Sequence, residues 1–209
     1  MTKGLTKQMR ILSPRQEEQV LNYIHQNSRY KKRDRVIFLL SLKSGLRSKE
    51  ISHLKWNMIL DNDGNFMDSI HLTNDCSKGK TGGRIIPINS RLKNSLIDLL
   101  GENYNRKETW MVDLVSDYVI TTERSGRKKG TSPQVITNFF HKLYLGMGMF
   151  GYGSHSGRRT FITRTSRKIN EVGGSMKDIQ YLSGHSSLQT TQRYIEHDPK
   201  SQMKVVELV

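Results

Sequence analysis

Most apolar positions in this chain recur at three- and four-residue intervals, the period of a helix with one buried side. The first such run is "LSPRQEEQVLNYI", where Val20, Leu21 and Ile24 share a face. Ser13 can cap it, Pro14 suits the first helical position, and Gln16 completes a capping box. "RVIFLLSLKSG" predicts a more buried helix that stops at Gly45. Ile51 and Leu54 mark a third helix, ending near Trp56. Then the period shortens. "DNDGNFMDSIHLTN" reads as a turn and a strand, and "GRIIPI" as the next strand, with Gly82-Gly83 supplying the turn. "NSRLKNSLIDLLG" returns to the helical period, with Leu92, Leu96, Leu99 and Leu100 inside and Gly101 as its stop.

The second half begins with a polar, basic loop, "TTERSGRKKGTSP". Ser132-Pro133 opens a helix expected to bury Val135, Ile136, Phe139, Phe140 and Leu143. The glycine-rich "GMGMFGYGS" leads into a basic helix, "HSGRRTFITRTSRK". Ser175 caps "MKDIQYL", which stops at Gly184. The last helix, "GHSSLQTTQRYI", carries an apolar stripe of Leu188, Thr191 and Ile195. Tyr194 lies roughly 90° off that stripe at 100° per residue, so it need not be core. Asp198-Pro199 breaks the helix. The tail that follows holds Met203, Val205, Val206, Leu208 and Val209, too few to form a core of their own. The expectation is a mixed, mainly α fold with a small antiparallel sheet near residues 66–88, in one domain spanning 1–209.

Composition excludes several function classes. No run approaches the roughly 18 consecutive apolar residues of a membrane span. "MTKGLTKQMR" lacks the apolar core of a signal peptide, so a cytoplasmic protein is expected. Cys76 is the only cysteine, which rules out an internal disulfide. Lys and Arg total 34 against 19 acids, a net +15. The excess is clustered: residues 124–170 hold ten Lys/Arg and no acid, and residues 76–97 hold five and no acid. Long acid-free basic stretches predict a polyanion footprint, and nucleic acid fits it better than a membrane surface.

Candidate chemistry lies in five short motifs. Arg47 follows a glycine stop in "SGLRSKEISHL", with Glu50 three residues on and able to hold the guanidinium. A surface ion pair would look the same. Lys80 sits in "SKGKTGGRIIPI", where a turn lysine can reach a phosphate; Lys78 competes for that role. His155 and Arg158 in "SHSGRRTF" stand side by side at a helix start, where an anion is favoured. His185 follows Gly184 in "LSGH", and Tyr194 comes nine residues later. No paired-cysteine zinc spacing and no Walker-type loop is present, so no cofactor or metal is expected.

In this order and spacing, "GLRSKE", "KTGGR", "HSGRR", "SGH" and Tyr194 resemble the tyrosine recombinases, or phage-integrase family, over about residues 35–197. The resemblance implies the tyrosine recombinase catalytic-domain fold. It implies that Arg47, Lys80, His155, Arg158 and His185 surround a scissile phosphate that Tyr194 attacks. His155 would be the base and Lys80 would protonate the departing 5′ oxygen. The product would be a 3′-phosphotyrosine, formed without ATP or a metal. Lys78, Arg84, Arg127, Lys128, Lys129 and Arg159 would contact DNA. The implied partners are double-stranded DNA with specific recombination sites, copies of the chain forming a tetramer on DNA from free monomers, and accessory DNA-bending proteins.

Two departures stand out. Gly157 occupies a position where the family often has an apolar residue, which predicts a looser helix start. Only about 30 residues precede the first catalytic-domain helix, so no N-terminal core-binding domain is expected. The tail 198–209 could pack on its own domain or exchange between protomers. A relaxing topoisomerase of the 3′-linked kind and a non-catalytic DNA-binding regulator with the same fold remain the alternatives to a site-specific recombinase.

Overall fold

The computed structural model describes residues 9–76, 83–103, 116–123 and 129–193, together with 203, 206 and 207. Among these, the helices are α1 (Pro14–Asn27), α2 (Lys31–Lys43), α3 (Ser48–His53), α4 (Ser90–Asn103), α5 (Pro133–Gly146), α6 (Ser156–Lys168), α7 (Met176–Ser183) and α8 (Leu188–Gln192). Strands β1 (Ser69–Leu72) and β2 (Arg84–Pro87) pair antiparallel, with Ile70 opposite Ile86 and Leu72 opposite Arg84. The mixed, mainly helical fold with one small antiparallel sheet is therefore present.

Helix α2 organises the interior. Val36 through Leu42 are all buried, the signature of a helix covered on every side. Helices α1, α4 and α6 pack against it, while α3 packs on α5. The expected capping box closes α1: Gln16 N donates to Ser13 Oγ at 3.2 Å and Ser13 N to Gln16 Oε1 at 2.9 Å. A buried carboxylate ties four helices. Glu17 of α1 meets Lys43 of α2 at 2.6 Å, Arg164 of α6 at 2.7 Å and Arg91 of α4 at 3.6 Å.

Several local expectations are corrected. Helix α4 runs through Gly101 to Asn103, because Gly101 does not take the left-handed conformation that would stop it. On α5 the buried stripe is Ile136, Phe140, Leu143 and Tyr144, an i, i+4, i+7, i+8 series. Val135 is one position off that stripe and 44% exposed. Residues 73–83 join the strands; Asn74–Cys76 form a short 3-10 turn, and 77–82, with Gly82 of the expected glycine turn, lie outside the described residues. Gly157 does not loosen α6. A Cβ there would sit 2.5 Å from Ser41 Oγ, so the glycine is what lets α6 lie against α2. In the tail, Met203 and Val206 are exposed, and Val205, Leu208 and Val209 lie outside the described residues.

Candidate active site

Two glycine-ended helices build the site. Gly45 closes α2 at φ +64, and a Cβ there would strike the Phe161 ring at 2.5 Å. Both facts require glycine. The chain turns so sharply that the Gly45 carbonyl points back at α6, and Arg47 opens α3. Gly184 closes α7 at φ +61 in the left-handed cap its position predicted. This turn leaves the Ser183 and Gly184 carbonyls side by side just before His185.

Those carbonyls hold the two candidate arginines. Arg158, on the first turn of α6, is 1% exposed. Its Nη1 donates to Gly45 O and its Nη2 to Ser183 O, each at 2.6 Å. Arg47 Nη2 donates to Gly184 O at 3.0 Å, and its Nη1 to Glu50 Oε1 at 3.1 Å. Consecutive carbonyls thus fix two guanidinium groups as neighbours, and the Arg47 side chain stays 30% exposed.

Glu50 anchors this arrangement from below. It accepts the Arg47 backbone N–H at 2.7 Å and a two-pronged bond from Arg84, at 2.8 and 3.1 Å. Burial alone would raise its pKa, but the hydrogen bonds and charge of Arg84, then Arg47, hold it below the ordinary 4.5. Three arginines against one carboxylate leave the cluster positive, as an anion site requires.

Both histidines join the cluster in neutral form. His155 stands at the N-cap of α6. Partial desolvation, then Arg158 and Arg47, keep its pKa below 6.5. His185 is buried beside the same arginines, and burial followed by their charge pushes it down to about 4. Its Nδ1 lies 2.9 Å from Thr191 Oγ1. Neutral imidazoles next to fixed guanidinium groups can accept a proton or donate one hydrogen bond, while the arginines stabilise negative charge.

The profile of the phage integrase family matches residues 10–201. The chain belongs to the phage integrase family. As a member of it, the chain is 33% identical over 178 residues to the tyrosine recombinase XerA of Thermococcus onnurineus, covering 83% of this chain and 56% of the relative. The solved XerA recombinase superposes at TM-score 0.70 with 20% identity, over 100% of this chain and 66% of that one. The Tn1549 transposon integrase, solved with a circular intermediate DNA, gives 0.69 with 22% identity, over 99% and 68%. The fold is that of tyrosine recombinase catalytic domains. This phage-integrase chain spans about half the length of the curated relatives it matches.

Of the expected site residues, Arg47, His155, Arg158 and His185 come together, whereas Lys80 and Tyr194 lie outside the described residues. Two of the expected DNA contacts are buried. Arg84 is buried because β2 alternates in and out, which turns it inward with Ile86 onto Glu50 and the Leu182 carbonyl. Arg159 is 7% exposed, on the inner side of α6. Lys129 is exposed, while Lys78, Arg127 and Lys128 lie outside the described residues. A surface cleft of about 600 Å³ between Tyr23, Tyr30, Arg33, Phe139 and Lys142 is lined by none of the candidate site residues. Sequence reading missed Thr191, Gly45 O and Ser183 O as holders of the site.

Proposed function

We propose that this phage-integrase chain is the catalytic part of a site-specific DNA recombinase that cuts and rejoins DNA through a 3′-phosphotyrosine. One observation carries the reading: the adjacent Ser183 and Gly184 carbonyls fix Arg158 and Arg47 side by side, with His185 next in the chain. Preformed donors of this kind, one buried and one partly exposed, suit the doubly charged equatorial oxygens of a phosphoryl-transfer transition state.

In the proposed step the Tyr194 phenol oxygen attacks phosphorus and its proton passes to neutral His155. The P–O5′ bond breaks, and Lys80 gives a proton to the leaving 5′ oxygen. Arg47, Arg158 and His185 hydrogen-bond the non-bridging oxygens throughout. Attack by a 5′-hydroxyl from another strand reverses the step, so phosphodiester bonds are exchanged without loss. The +15 charge, the DNA-bound Tn1549 relative and the tyrosine recombinase names of the curated relatives support DNA as substrate. The reading extends to recombination sites as substrate, four copies assembled on DNA, accessory DNA-bending proteins and a cytoplasmic location.

The test is a nicked suicide duplex carrying the recombination site from the DNA flanking the coding sequence. Covalent protein–DNA product together with recombined junctions supports the reading. Covalent product with supercoil relaxation and no junctions would point to a topoisomerase. Specific binding without any covalent product would leave a DNA-binding regulator.

A further inference from the structure

His185 is seated by α8, the helix that leads in sequence to Tyr194. Its Nδ1 and the Thr191 hydroxyl are 2.9 Å apart, with His185 nearly buried and Thr191 fully so. An imidazole nitrogen and a hydroxyl can share a proton in either direction. The surroundings choose between them. Among the described residues, His185 is the one hydrogen-bond partner of the Thr191 hydroxyl. Were Nδ1–H the donor, the hydroxyl proton would be sealed in the interior with no acceptor among the described residues. A buried donor left unmade is costlier than a spare oxygen lone pair. The hydroxyl therefore donates and Nδ1 accepts, and a neutral imidazole then carries its single proton on Nε2.

We propose that Thr191 is a positioning residue for the recombinase reaction: its hydroxyl locks His185 in the Nε2–H form, so that the ring offers the scissile phosphate a hydrogen-bond donor and not a lone pair. The proposal rests on the reading of His185 as a phosphate donor. The lock matters because burial and the neighbouring arginines keep the ring neutral at pH 7. An imidazolium would donate from both nitrogens whatever Thr191 did; a neutral ring in the wrong form would turn a lone pair toward an anion. Thr191 precedes Tyr194 by three residues. One short segment thus sets the donor state of His185 and leads directly to the nucleophile.

The experiment uses ¹⁵N spectra of the His185 ring in the full chain at neutral pH, with single-turnover cleavage of the nicked duplex and its binding measured alongside. Wild type is expected to show a protonated Nε2 and an unprotonated Nδ1. Thr191→Val keeps the shape and removes the hydroxyl. It should give averaged ring shifts and cleave about tenfold more slowly with unchanged DNA affinity, short of the 10²–10³ lost with a whole donor. Thr191→Ser should restore both spectrum and rate. A wild-type ring protonated on Nδ1, or a Thr191→Val protein with wild-type spectrum and rate, overturns the proposal. His185→Ala cleaving at the wild-type rate overturns the phosphate-donor reading beneath it. Slow His185→Ala beside an unaffected Thr191→Val overturns the role of Thr191 alone.

Discussion

Arg84 separates a buried structural charge from a DNA contact, and the two roles predict opposite measurements. Replacing it with Met keeps the bulk of the side chain and removes the guanidinium. The Arg84 and Glu50 side chains are 2% and 1% exposed, and two charge-assisted bonds of 2.8 and 3.1 Å join them. Breaking such a pair by deleting one partner strands the other charge, at a cost of about 3–5 kcal/mol. Glu50 would still accept the Arg47 N–H at 2.7 Å and its Nη1 at 3.1 Å, which places the loss near the lower end. For a chain of this size about 3 kcal/mol corresponds to a drop of roughly 6–12 °C in Tm. Adding Glu50→Gln should return part of the loss, because no uncompensated charge is then buried. The assay is thermal unfolding by circular dichroism, paired with DNA affinity across a salt series. If Arg84→Met unfolded at the wild-type temperature while the logarithmic salt slope shrank by about 0.9, the slope assigned to one phosphate contact, the burial argument would be refuted.

Three further outcomes follow from the same geometry. Gly157→Ala should destabilise the protein by about 1–3 kcal/mol in urea unfolding, since its Cβ would meet Ser41 Oγ at 2.5 Å and Ser41 Cβ at 2.9 Å. His185 titrates at about 4 when folded and near 6.5 when unfolded, so the unfolded chain takes up the extra proton; stability should fall as pH drops from 6.5 to about 4, by at most about 3 kcal/mol, and His185→Asn should flatten that decline. Arg158→Lys cannot span both Gly45 O and Ser183 O with a planar fork, so cleavage of the nicked duplex should slow by roughly 10²–10³ in single-turnover assays while DNA binding persists.

Much of this was legible in the chain because it was local. Ser13, Pro14 and Gln16 announced α1, and Gly45 and Gly184 announced the stops of α2 and α7, since caps depend on residues only a turn apart. Arg47 with Glu50 and His155 with Arg158 were likewise readable from spacing. What was hidden depends on partners far along the chain. Arg84 lies 34 residues from Glu50 in sequence, and its basic neighbourhood suggested DNA. The alternation in "RIIP", which pairs Arg84 with buried Ile86, was the available sign that it faces inward. Gly157 seemed a weakness because Ser41, which it makes room for, lies on another helix. Thr191 passed as one position of an apolar stripe, and its hydroxyl acquired meaning only once α8 was seated against His185.

The central claim is that Tyr194 becomes joined to a 3′ phosphate while the cut strand is released with a free 5′-hydroxyl. The most direct measurement is tryptic mass mapping of the adduct trapped on a nicked suicide duplex, with Tyr194→Phe as its partner sample. Cleavage after Arg193 and Lys200 isolates the peptide "YIEHDPK". This peptide should carry the nucleotide through a 3′ phosphate, and Tyr194→Phe should form no adduct. An adduct on another residue such as Tyr181, a 5′-phosphate linkage, or an adduct that survives Tyr194→Phe would contradict it.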